Sequence, residues 1–178
     1  ACHPTHCDGM QLFGRRRALV TTETSHPFYQ RYNLEMRRRS ELVLRAHYSQ
    51  SLADIVTLLQ PEGVSFFVFR RGDFKPQKLA RATYLPPLDT VVRELVSKPR
   101  GSMAYYKLPQ KLDLEKFPYV VFIDDVSLII DVNALGSYLR SQGWSPPQTS
   151  LTASMERHAA SRRAVYASGS GAPRAFPG

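Results

Sequence analysis

Residues 27–48, PFYQRYNLEMRRRSELVLRAHY, constrain the fold of this chain more than any other stretch. Pro27 suits a first helical turn, where its missing N–H is not needed, and Ser25 just before it can cap the end. Phe28, Tyr32, Met36, Val43 and Ala46 recur at steps of three, four and seven. That spacing predicts a helix of about six turns carrying these residues on one side. Arg39 falls on the same side, midway along. A guanidinium inside an apolar stripe needs partners, because an unpaired buried charge is costly. The expectation is therefore a largely buried Arg39 held by a carboxylate, with Glu23 the first candidate and Asp124 or Asp131 next. Arg37 and Arg38 are turned about 200° and 100° back around the helix and should face solvent.

The chain has 178 residues, 43% of them apolar, enough for one domain with a real core. Its net charge of +9 is concentrated at the two ends. Between Phe13 and Arg45 eight arginines stand against three glutamates, and after Ser150 four arginines stand against one. Such basic segments suit anionic lipid or nucleic acid, and equally a solvated helix face. No apolar run approaches the roughly 18 residues of a membrane span. No signal peptide is visible, and the chain opens without an initiator Met, so it reads as a piece of something larger.

In chain order, residues 1–12 read as an irregular N-terminal segment, 13–144 as a single domain, and 145–178 as a flexible basic tail rich in Pro, Ser, Gly and Ala. Arg16–Glu23 is strand-like, with β-branched residues at its centre. Ser51 caps a second helix with Leu52, Ile55, Val56 and Leu59 inward, stopped by Pro61 and Gly63. Val64–Phe69 is apolar without alternation, as a strand covered on both faces would be. Strand, helix and strand in that order predict a right-handed crossover and a parallel pair. A third helix follows at Leu88–Val96, with Val91, Val92 and Leu95 inward. AYYKL, from Ala104, reads as a strand. Tyr119–Ile123 and Val126–Val132 read as a hairpin around Asp124 and Asp125. Asn133 is expected to cap a last helix that Gly143 ends. The fold class is thus α/β: a mixed sheet in two or three layers, parallel at its start and closed by an antiparallel hairpin, with helices packed on it.

Candidate chemistry is sparse. Cys2, His3, His6 and Cys7 crowd the first residues and could supply zinc ligands, though no second pair has ligand spacing. A Cys2–Cys7 disulfide and plain loop cysteines are the other readings. Asp124 and Asp125 are the only adjacent carboxylates, suited to an ion, to acid–base work, or simply to a turn. Glu23, His26, Tyr32 and Arg39 form a polar cluster near an expected strand end and helix start, where open α/β sheets take ligands. Ion pairing within the fold explains Glu23 and Arg39 as well. GxxxxGK[ST], GxGxxG, GxSxG and HExxH are all missing, so no cofactor is expected. Phe66, Phe67 and Phe69 could stack bases, but their unbroken apolar context reads as core.

The stretch LFGRRRALVTTETSHPFYQRYNLEMRRRSELVLRAHYS, followed by a helix and GVSFFVFRRGDF, resembles the soluble C-terminal domain of uncharacterised bacterial, often cyanobacterial, polytopic membrane proteins related to lipid-linked-sugar glycosyltransferases. The positions that carry the resemblance are Glu23, Pro27, Phe28, Tyr32, Met36, Arg39, Ala46, Tyr48 and Val64–Phe69. They fall within residues 12–74, about a third of the chain. In that family the catalytic carboxylates lie in loops between membrane spans, so the resemblance implies a non-catalytic accessory domain. It also implies a membrane-embedded partner in the same parent protein and an extracytoplasmic, membrane-associated location. Two other readings are a basic nucleic-acid-binding module and a small enzyme working at strand ends near Glu23 and Asp124.

Overall fold

The computed structural model describes residues 1–7, 17–22 and 30–147, the side chain of Arg100 excepted. The chain divides into two compact units, 1–145 and 146–178, and only Pro146 and Pro147 of the second are described. Helix α1 spans Gln30–His47, α2 Leu52–Leu59, α3 Pro76–Leu79, α4 Leu88–Ser97 and α5 Val132–Ser141. Strands β1 (Phe66–Arg70), β2 (Val120–Ile123) and β3 (Ser127–Asp131) form one sheet in the order β1-β3-β2. The fold is a mixture of helix and strand, and both strand pairings are antiparallel.

The β2–β3 hairpin forms where alternation and the Asp pair place it. Asp124 turns the chain: its Oδ1 accepts from the N–H of Val126 and Ser127 at 2.8 and 2.6 Å. The strand expected over Arg16–Glu23 shows no ladder in its described part, residues 17–22. Val20 and Thr21 are nevertheless buried there, so the β-branched run meets its need for apolar contact by packing. A parallel neighbour does lie along β1, but it is the N-terminus: Cys2 bridges to Val68, and the Val68 N–H donates to the Ala1 carbonyl at 2.9 Å.

The sheet buries one face. Phe67 stands opposite Ile130 and Phe69 opposite Leu128, all at 1% exposure or less, while Phe66 is 48% exposed. The VSFFVF run therefore alternates after all, because a three-stranded antiparallel sheet is covered on one side only. Its unbroken hydrophobicity hid the period of two.

In α1 the buried residues are Met36, Ser40, Val43, Leu44, Ala46 and His47. The stripe thus runs through Ser40 and His47, which the apolar pattern passes over, and Arg39 stands about 100° to one side of Ser40. Arg39 is half-buried, not largely buried. Its carboxylate partner is Glu35, one turn back, with Nε donating at 2.7 Å. Asp131 and Asp124 are engaged elsewhere.

Ser51 caps α2, its hydroxyl accepting from the Ala53 N–H. Gly63 closes the turn that follows with φ +70°, a conformation that costs other residues a Cβ clash. AYYKL is a 3₁₀ turn over Ala104–Lys107, not a strand; there Tyr105 stacks on Phe74 with ring centroids 3.8 Å apart. The cap of α5 is Asp131, whose Oδ1 accepts from the N–H of Asn133 and Ala134. Asn133 sits inside the helix and accepts instead from the Gln60 side chain.

Candidate functional site

Among the described residues, one dense group of ionisable side chains is divided by the sequence among three distant stretches. The last turn of α1 delivers His47, the 3₁₀ turn Arg71–Phe74 after β1 delivers Asp73, and the N-terminal loop delivers His3 and His6. A disulfide between Cys2 and Cys7 closes that loop, with both sulfur residues buried. Pro4 starts the intervening 3₁₀ turn, where a missing N–H is harmless. The pairing takes both thiols out of play as metal ligands. Among the described residues, no group of three or more His, Cys, Asp or Glu is disposed to hold a metal ion.

The contacts converge on Asp73. His6 Nε2 lies 3.2 and 3.0 Å from its two oxygens. Arg70 has only donors, so its 3.4 Å approach to His6 Nδ1 makes that nitrogen the acceptor and leaves Nε2 to donate. His47 Nε2 stands 3.4 Å from the Asp73 carboxylate, yet neither ring nitrogen of His47 completes a well-aimed hydrogen bond. His6 is thus the firmer partner. The His3 ring lies 5.3 Å from His6 and 5.1 Å from His47, centroid to centroid, and its Nδ1 meets the Thr5 hydroxyl at 2.8 Å.

Aromatic rings enclose the inner end. Tyr48 meets His47 edge-on at 4.8 Å, while Phe74 and Phe69 lie at 4.9 and 5.6 Å. The side chain of His47 is fully buried, whereas those of His6 and Asp73 keep 26% and 19% exposure. Among the described residues the cluster is most open to water at the His6–Asp73 end.

The titration behaviour follows from this enclosure. Burial pulls His47 below the ordinary histidine value, and Asp73 opposes it without prevailing. Burial above all holds His3 down to about 3. For Asp73 burial alone would raise the pKa, but the contacts from His47 and His6 outweigh it and set the carboxyl below its usual range. The two inner imidazoles are thus neutral and Asp73 is ionised. This arrangement ties the N-terminal loop to the end of β1.

A second feature lies beside α1. Arg17, Ala18, Leu19, Arg39, Glu62, Val64 and Phe66 are among the residues lining a groove of about 500 Å³. Arg38 clamps Glu62 nearby and shares Glu35 with Arg39.

The cluster expected at Glu23, His26, Tyr32 and Arg39 cannot be assembled here, since Glu23 and His26 lie outside the described residues. Tyr32 is 40% exposed near the start of α1. Asp125 is exposed in the hairpin turn. His47 and Asp73 are the residues that sequence reading missed. The available signal was His47 at four and seven residues from Val43 and Ser40, a polar ring on the buried stripe.

Three arginines of the arginine-rich helix are paired with carboxylates, one of which, Glu62, lies beyond the helix. Arg38 holds Glu35 and Glu62, Arg39 holds Glu35, and Arg45 holds Glu41. Among the described residues no helix is long and apolar enough to cross a membrane. Comparison with known proteins finds no family model, no curated protein and no solved structure that matches the chain.

Proposed function

We propose that the chain is a non-catalytic accessory domain of a membrane-embedded glycosyltransferase-like protein, held on the extracytoplasmic side. The observation that carries the reading is the use the fold makes of the residues behind the resemblance. Met36, Ala46, Tyr48, Val64, Phe67 and Phe69 are all buried. They build core, which supports reading the pattern behind the resemblance as a scaffold.

Two further features support it. The Cys2–Cys7 disulfide is of a kind that persists in oxidising compartments outside the cytosol. The open face of the sheet carries Phe66 and Phe122, at 48% and 44% exposure, which gives a membrane-embedded partner an apolar contact. The nucleic-acid reading has less behind it, because Arg38, Arg39 and Arg45 are already paired with glutamates. The strand-end enzyme reading has less again, because Asp124 is occupied by the amides of its own turn.

The test is the parent protein. Expressed from its complete reading frame in the native host, it is expected to sediment with membranes and to resist alkaline extraction. A reading frame with no membrane spans, or recovery of the intact protein in the soluble fraction, overturns the proposal.

A further inference from the structure

We infer that the groove beside Arg39 is a binding site for a small organic anion, a phosphate monoester carried on an apolar ring. Its volume of about 500 Å³ is that of a small-molecule site. Leu19 and Val64 line it with apolar surface, and Phe66 presents a ring that is 48% exposed. Arg17 and Arg39 are the arginines of its lining.

The described charged residues favour an anion. Glu62 also lines the groove, but Arg38 covers its carboxylate with two hydrogen bonds, at 2.7 and 2.8 Å. Among the described residues around it, Arg17, Arg38 and Arg39 stand against Glu35 and Glu62, three guanidiniums to two carboxylates, while the Ala1 amino group, which also lines the groove, donates to the Phe66 carbonyl. Arg39 gives Nε to Glu35 at 2.7 Å and one N–H to the Leu19 carbonyl at a long 3.4 Å. A guanidinium has five N–H donors, and its fork matches the oxygens of a phosphate. Glu35 thus orients Arg39, and among the described residues most of its donors are left for a ligand. A phosphate monoester, with a charge of about −1.5 to −2, suits two guanidiniums better than a single carboxylate does. Phe66 and Leu19 would hold the ring it is attached to. The inference rests on the groove alone and does not require the accessory-domain reading.

The experiment is an amide chemical-shift titration of the full chain with phenyl phosphate, run beside inorganic phosphate, benzoate and phenol. Phenyl phosphate is expected to give saturable shifts at Leu19 and Val64–Phe66. Inorganic phosphate and benzoate should bind about tenfold more weakly, and phenol more weakly still. Arg17→Gln and Arg39→Gln should each weaken phenyl phosphate by about tenfold. Phe66→Ala should weaken phenyl phosphate and leave inorganic phosphate unchanged. Arg17 makes no bond to Glu35, so its replacement tests the site even if the Arg39 variant proves unstable. Shifts absent for every anion, shifts centred on another basic surface, or shifts unaltered by Arg17→Gln overturn the inference.

Discussion

Arg38 of α1 grips Glu62, twenty-four residues further along the chain, through both ends of its guanidinium, and its Nε and remaining N–H hold Glu35. The residue expected to face solvent is therefore the one that fastens the helix to the turn after α2. Glu35 is held near 2 chiefly by the Arg38 hydrogen bonds, with burial opposing, and Glu62 is lowered for the same first reason. Exposed single pairs contribute little, but a four-bond network around one guanidinium contributes more, about 1–2 kcal/mol. Arg38→Met is expected to cost that much in urea unfolding. Arg37→Met, at an exposed position, should be neutral, and Arg39→Met should fall between them. Arg39→Met as the costliest of the three would restore the reading in which Arg39 is the buried arginine.

The histidine cluster should make the domain acid-labile. His3 and His47 have folded pKa values below the ordinary 6.5. The unfolded chain binds protons there that the folded chain refuses. Stability is therefore full above pH 6.5 and falls as pH drops from 6.5 toward 3. Each such histidine contributes a slope of up to about 1.4 kcal/mol per pH unit. Thermal melts from pH 8 to 4 should show the decline, and His47→Leu should flatten it. An unchanged slope in that variant would mean that His47 is charged or accessible in the fold.

The disulfide closes a short loop, so its removal should cost only about 2 kcal/mol. Cys2→Ala with Cys7→Ala, or treatment with reductant, should lower the melting temperature by roughly 4–10 °C. Hydrogen exchange should rise at Val68, whose N–H is bonded to Ala1. No change at Val68 would show that the N-terminal strand stays in place without the crosslink.

Capping distinguishes two neighbours on α5. Asp131→Ala removes the acceptor for two backbone N–H groups and should cost about 1 kcal/mol, whereas Asn133→Ala should cost a few tenths. The reverse order in chemical denaturation would reassign the cap.

These cases show where sequence speaks and where it does not. Four helices and the hairpin were legible because 3.6-residue and two-residue periods leave marks that packing then uses. Asp131 and Asn133 are both good caps two residues apart, and composition cannot rank them. Tyr105 and Tyr106 favour a strand, yet stacking on Phe74 set a 3₁₀ turn. The site was less legible. His3, His6, His47 and Asp73 meet only because the N-terminal loop folds back onto β1, a contact between residues more than sixty positions apart. Cys2 and Cys7 hinted at the loop but not at its destination.

Maturation outside the cytosol, as proposed above for a domain of a membrane-embedded parent, is tested most directly by the redox state of Cys2 and Cys7. The native protein should be alkylated in intact host cells, digested, and the peptide bearing Cys2 and Cys7 weighed with and without prior reduction. The predicted result is a peptide that takes up no alkylating reagent until it is reduced. A peptide already carrying two labels before reduction would place the domain in a reducing compartment and contradict the account.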